Sequence, residues 1–290
     1  MIGPSYCTRS GARRPTRPGE NTLSTTLLAF KGEFHAPDID KEFFPVDRWL
    51  TDFAGGAFTL DRLMLVRILM AVVLMGFFMI AMRNPRLIPS GVQNFAEICL
   101  DFVRVHISEE ILGKDQGRRF LPVIATIFFA TLAMNLPTVL PGLNVSPNAR
   151  IGFPMMLALL GYITFVYAGA KKYGFFRYIK LSIVIPNVPP ALHILLIPIE
   201  ILSTFILRPV TLTIRLMANM LAGHLIIVLL FSATNFFFWQ LNGWTLLSAG
   251  ISVLSIAFTL FELLVIFLQA YIFALLVAVY IDSSLHADNH

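Results

Sequence analysis

The sequence predicts an all-α membrane protein with about six helices: three upright spans, one interfacial amphipathic helix and two long, strongly tilted helices. Two observations carry this reading. Of the 290 residues, 57% are hydrophobic and 13% are charged, whereas a soluble domain carries about a quarter charged residues. The polar surface that would keep a globule of this size in water is missing, and the mean hydropathy of +0.75 agrees. The charges are also unevenly spread. Between Leu181 and Ile281 the only formally charged side chains are Glu200, Arg208, Arg215 and Glu262. An ionisable group inside hydrocarbon is expensive to keep and marks an ion or proton pathway by default.

Residues 1–59 read as an external N-terminal segment, disordered at its start, where Arg9, Arg13, Arg14 and Arg17 stand among Pro and Gly. The apolar stretch Thr26 to Phe30 is too short for the core of a signal peptide. Residues 60–282 read as a polytopic helical domain and residues 283–290 as a cytoplasmic tail. The first span runs from Leu60 to Met82 and stops at Arg83 and Arg86; its roughly 23 residues suffice for a hydrocarbon core of ~30 Å. From Val92 to Leu112 the pattern changes. Val92, Phe95, Ala96, Cys99, Phe102 and Val103 recur at helical spacing, while Glu97, Asp101, Arg104 and Ser108 line another face. That stripe predicts an amphipathic helix lying in the membrane interface, or else an ordinary packed helix in a soluble loop, since periodicity alone does not say what the apolar face touches.

A second span covers Phe120 to Leu140 and a third Ile151 to Ala170, the latter stopping at Lys171 and Lys172. Basic residues favour the cytoplasmic side, so the ends at Arg83/Arg86, Arg118/Arg119 and Lys171/Lys172 fall inside and the N-terminus outside. The rest of the chain does not divide into ordinary spans. Ala191 to Phe231 and Trp244 to Ile281 would measure about 60 and 57 Å as single helices, nearly twice the hydrocarbon thickness. Pairs of short spans would put Arg208, Thr211, Arg215 and Asn219 in a turn, yet the intervening residues read as helix. Two tilted helices joined around Ser232 to Gly243 are expected, and such geometry requires a large partner surface.

Composition also excludes function classes. The net charge of +5 could suggest nucleic acid, but the basic residues cluster at the ends of apolar runs and read as membrane anchors. No phosphate-binding glycine loop occurs, so no nucleotide is expected. Cys7 and Cys99 are too far apart in sequence to suggest a disulfide framework, and His106, His286, His290 and Gln240 read as surface groups with no metal-ligand spacing. No cofactor is expected.

On an ideal helix Thr211, Arg215 and Asn219 share a face, and His224 points the opposite way. Arg215 is a permanent cation that can bar protons or hold a partner's carboxylate ionised. Glu262 and Gln269 lie on nearly one face of the last helix, about 10 Å apart along its axis. Glutamate and histidine exchange protons after modest shifts, which makes His224 and Glu262 the natural relay pair. Two plainer readings stand beside these: a structural salt bridge between Arg215 and Glu262, and a His224 that merely packs. Glu200 either serves a second access route or caps and pairs locally near Pro198 and Arg208.

The run Arg208-Pro-Val-Thr-Leu-Thr-Ile-Arg215-Leu-Met-Ala-Asn219-Met-Leu-Ala-Gly223-His224 resembles the signature of the F-type ATP synthase subunit a family. The run Phe261-Glu262-Leu-Leu-Val-Ile-Phe-Leu-Gln269-Ala-Tyr-Ile-Phe-Ala-Leu-Leu resembles that family's C-terminal motif, and Pro89-Ser-Gly-Val-Gln is also similar. The resemblance implies a stator beside a rotating ring of c subunits, with two aqueous half-channels reaching opposite membrane faces. It implies Arg215 as the essential arginine, Asn219 as the asparagine that comes after it, and Gln269 as the glutamine facing the ring. It further implies subunit b of the peripheral stalk, the other ATP synthase subunits and membrane lipid as partners, no catalytic site in this chain, and a bacterial cell membrane as its location. Two departures matter. The family's familiar bacterial pattern has glutamate at the position of His224 and histidine at that of Glu262; their exchange here keeps one acid and one imidazole between the helices. Glu200 sits one residue further from Pro209 than the pattern expects. Against a secondary transporter stands the lack of an internal repeat, and against an intramembrane enzyme the lack of a third catalytic member beside His224 and Glu262.

Overall fold

The computed structural model describes residues 62–83, 91–140, 147–183, 190–239 and 245–287. The N-terminal segment, Pro89 and Ser90 of the shorter motif, Gln240 and His290 lie outside the described residues. All the described regular structure is helical. Five of the helical stretches are long and apolar enough to cross a membrane.

Helix α1 (Arg62–Ala81) is the first span. Apart from Arg62 and Arg67 its side chains are uncharged and chiefly apolar, and many remain exposed, among them Leu65, Val72, Met75 and Met79, as befits a helix whose solvent is lipid. Helix α2 (Val92–Val103) is the amphipathic element. Its apolar side is shared between two environments: Ala96 and Val103 are buried, whereas Phe95 and Ile98 are exposed. Phe102 joins an aromatic cluster with Phe128 and Phe267, at ring distances of 6.2 and 5.7 Å. The helix therefore packs on its neighbours along one edge and leaves the rest of its apolar stripe open.

A π-helical segment comes next at Arg104–Glu109, then helix α3 (Glu110–Asn135), interrupted at Gly113, where φ is 72° and ψ 171°. That backbone conformation suits glycine, and it lets the chain turn back into the second span. The π segment explains one departure from expectation. Ser108, expected on the polar face, is fully buried, and its hydroxyl donates to the Gly117 carbonyl at 2.7 Å. A wider helical turn carries an extra residue and rotates the side chains beyond it, so Ser108 ends inside the hairpin. Gly117 is required there because a Cβ would meet the Ser108 carbonyl oxygen at 2.9 Å.

Helix α4 (Gly152–Tyr173) is the third span, and Gly174 separates it from the short helix α5 (Phe175–Ile183). Helix α6 (Pro190–Ile201) runs through a second π segment (Leu202–Leu207) directly into α7 (Arg208–Trp239). Arg215 and its neighbours thus lie within continuous helix and not in a turn. Helix α8 (Thr245–Leu285) has 41 residues, about 61 Å at 1.5 Å per residue. Fitting such lengths to a ~30 Å core requires steep inclination or projection beyond it.

The core lies where α8 meets α3, α4 and α7. Ile124, Ile127, Phe128, Leu216, Phe273, Val277 and Ile281 are buried together. Since lipid tails are as apolar as these side chains, close van der Waals packing must hold the helices together. Gly161 shows how close: a Cβ there would meet Val277 at 2.9 Å.

Candidate functional site

Helix α7 sorts its residues by the periodicity that its sequence dictates. Leu212, Leu216 and Met220 are buried against the rest of the protein, while Thr211 and Arg215 are exposed and Asn219 is half-buried. The Thr211 hydroxyl is taken up by its own helix, donating to the Leu207 carbonyl at 2.7 Å. The Arg215 guanidinium therefore faces outward from the chain. Among the described residues it forms no ion pair with Glu262. Gln269 crosses from α8 and donates through Nε2 to the Arg215 backbone carbonyl at 3.1 Å, which ties the two helices at the level of the arginine.

Two turns further along α7, His224 is 2% exposed, and Glu262 on α8 is 2% exposed. The two groups interact electrostatically. The seat of the Glu262 carboxylate depends on Gly223, because a Cβ at that position would occupy the space of the carboxylate. A helix with a notch at 223 and an imidazole at 224 receives the carboxyl of the opposing helix in that notch. Glu262 Oε1 and Asn219 Nδ2 are buried with no hydrogen-bond partner among the described residues. Such atoms in a protein interior cost about 1–3 kcal/mol each unless a further partner satisfies them.

The motifs give no sign of a second polar set beside these. Asn148 donates through Nδ2 to Asn135 Oδ1, both side chains being fully buried. Thr138, one turn beyond Asn135, donates to Met220 Sδ at 3.7 Å, which brings the end of α3 onto α7 between Arg215 and His224. Arg67 of α1 donates through Nε and Nη2 to the Pro147 carbonyl and so holds the segment that carries Asn148. Thr131 Oγ1, Asn135 Nδ2 and Asn148 Oδ1 are also buried without partners among the described residues. The one sequence signal for them is an asparagine inside the apolar run of the second span. Asn148 and Arg67 give none, since loop position and a helix end explain them equally well.

The opposite end of the helix pair is built differently. A cavity of about 330 Å³ is lined by Glu200, Thr204 and Arg208 together with Tyr178, Ser182 and Ser283. Thr204 donates to Glu200 Oε1 at 3.1 Å. Arg208 lies over the Tyr280 ring at 5.0 Å, and among the described residues it forms no ion pair with Glu200. A π segment, Leu202–Leu207, lies between Glu200 and Pro209, and a wide turn of that kind holds one residue more than an α turn. His106 and His286 are exposed. No cluster of three potential metal ligands occurs among the described residues.

The comparisons with known proteins identify the family. Residues 64–282 match the family described as ATP synthase A chain. The chain is 61% identical over 272 residues to a protein named ATP synthase subunit a from Rhodococcus erythropolis, covering 93% of this chain and 97% of that one. It is 36% identical over 264 residues to the protein of the same name from Pseudarthrobacter chlorophenolicus, covering 89% and 96%. A third so named, from Parafrankia, is 33% identical over 281 residues and 92% of each chain.

Proposed function

Because the chain belongs to the ATP synthase A chain family, we propose that it is the proton-conducting stator of a bacterial ATP synthase and passes protons to and from a rotating ring of c subunits. The observation that carries this reading is the position of Arg215 between two separate polar regions. It lies about 10 Å along α7 from Arg208, at the edge of the Glu200 cavity, and about 13 Å from His224 on the other side. A single fixed cation, exposed on the face that a partner would cover, separates two routes.

In this reading His224, Glu262 and Asn219, with Asn135, Asn148 and Thr131 beside them, form the route from the outer face. Their buried polar atoms are of the kind that a file of water satisfies. Glu262 and His224 exchange the proton, and Gln269 keeps α8 in register with the arginine. Glu200 and the cavity around it form the route to the cytoplasm. Thr211 lines the ring-facing surface next to Arg215. The N-terminus lies outside and the C-terminus inside, in keeping with the basic ends of the spans. The peripheral stalk, including subunit b, holds the chain against rotation, and no catalytic step at ATP occurs in it.

Arg215 gates by electrostatics. In a low-dielectric setting a guanidinium lowers the pKa of an arriving ring carboxylate, so that its proton departs into the exit route. The same permanent charge repels a proton crossing directly from one route to the other. The driving force is about 2.3 kcal/mol per charge per 100 mV. In vesicles carrying equal amounts of assembled complex, Arg215→Ala abolishes coupled ATP synthesis and opens a passive proton leak. Arg215→Lys also fails to couple, since it loses the planar, delocalised fork. Near-normal synthesis with alanine at this position overturns the mechanism.

A further inference from the structure

The corner between α4 and α5 has a composition that proton transport does not use. Lys171, Lys172, Arg177 and Lys180 fall within ten residues, and residues 116–199 contain no acid at all. Beside these cations two phenylalanines open helix α5: Phe175 is 54% exposed and Phe176 87% exposed. The side of α5 opposite Phe176 is firmly seated. Tyr178 is 2% exposed and occupies a notch that only the lack of a side chain at Gly169 provides. Tyr178, Leu181 and Ser182 line the Glu200 cavity. Helical spacing sets Phe176 on the side away from that cavity.

The corner is also held in place. Gly174, at φ 84°, redirects the chain out of α4. Lys172 Nζ and the Tyr173 hydroxyl both donate to the Leu285 carbonyl at the end of α8. Lys171, close to the Tyr167 hydroxyl at 3.3 Å, and Arg177 remain exposed. Two acids at this end of the fold have partners of their own: Asp282 pairs with His286 at 3.1 Å, and Glu200 accepts from Thr204 in the cavity.

We propose that this corner docks on anionic phospholipid headgroups, with Phe175 and Phe176 inserted at the acyl boundary and Lys171 and Arg177 on the phosphates. Water suits the cations but not an open phenylalanine pair, and hydrocarbon suits the rings but not the cations. The headgroup boundary suits both, as it does other short helices of basic and aromatic composition. Charge complementarity commits the occupant to an anionic lipid, because polybasic segments at a membrane border are attracted to acidic headgroups. Docking there would fix α5, and through Tyr178 one wall of the cavity. The inference needs only that the chain spans a membrane, and holds whichever way the proton route is assigned.

The test uses the whole assembled complex in vesicles of equal parts phosphatidylglycerol and phosphatidylcholine, with the photoreactive analogue p-benzoylphenylalanine at position 176. Expected are adducts with lipid, enriched in phosphatidylglycerol over its share of the vesicle. Lys171→Gln and Arg177→Gln, both at exposed positions, each lower the ratio of phosphatidylglycerol to phosphatidylcholine adducts by up to about fivefold, with assembly unchanged. Adducts with another subunit would show that a protein covers the corner, and lipid adducts without phosphatidylglycerol enrichment would remove the charge recognition. Either outcome overturns the proposal.

Discussion

The Glu262 region and the Glu200 region lie on either side of the same arginine, yet they handle a carboxylate in opposite ways. Glu262 is enclosed, seated against Gly223 and beside His224, with a carboxyl oxygen that finds no protein donor among the described residues. Glu200 is half-buried, held by Thr204, and edges a cavity of about 330 Å³. In low dielectric a charge is costly unless a specific partner stands beside it, whereas water can replace a partner in an open cavity. The enclosed acid therefore depends on particular neighbours, and the open acid depends on few. Mutations should separate the two regions accordingly.

The largest difference is expected at the enclosed pair. His224→Ala or Glu262→Gln removes one titratable step from a relay, an effect of about a hundredfold where proton transfer is otherwise assisted. ATP-driven proton pumping by equal amounts of assembled complex reads this directly. The double exchange His224→Glu with Glu262→His should retain more activity than either of its single members, since it restores one acid and one imidazole in contact. Normal pumping in both single neutral variants would make the pair structural and erase the distinction between the regions.

Gly223 sharpens the same comparison through geometry alone. Gly223→Ala leaves every titratable group in place but puts a methyl where the Glu262 carboxylate sits. A glutamate has flexible bonds, so the carboxyl can swing aside without unfolding the helix pair, and the cost is that of a displaced side chain, about 1–3 kcal/mol. Proton pumping should fall by roughly tenfold, in keeping with a carboxyl moved out of its position beside the imidazole, while the variant assembles normally. Unchanged pumping would mean that the seat at Gly223 does not govern the relay.

How much of this is legible in the sequence depends on the range of each signal. The spans, the tilted pair and the division of α7 into an outward arginine face and an inward histidine come from local periodicity, which the helix preserves. Arg67 and Asn148 do not stand out, and Asn135 shows only as an asparagine in an apolar run, because their roles arise from contact across 13 to 80 positions of chain, which periodicity does not encode. Ser108 departs from its expected face for a different reason: a π turn at Arg104–Glu109 shifts the register, and a strict 100° rule cannot anticipate it. In sequence, helix α5 reads only as the basic end of a span, since nine residues are too few for its packed and open faces to stand out. Ser284, which reads from the sequence as the start of a tail, is buried and donates to the Phe165 carbonyl at 2.7 Å, a contact across 119 positions that no local pattern announces.

The smallest effect is expected at Glu200. Its carboxylate is oriented by Thr204 within the π segment but not enclosed, so Glu200→Gln removes a charge from a space that water can enter. Ordered water substitutes for a lost polar group at little cost where a site is open to it, and proton pumping should fall by no more than about threefold, the equivalent of about 0.7 kcal/mol. Thr204→Val removes only the hydroxyl that orients the carboxylate and should change pumping still less. The comparison is then read as a ratio: the Glu262→Gln defect measured against the Glu200→Gln defect in the same vesicles. A ratio well above ten supports an enclosed route on one side and an open one on the other. Equal and severe defects would mean that Glu200 is an obligatory proton carrier in its own right, and the cavity around it would then have to be as selective as the enclosed pair.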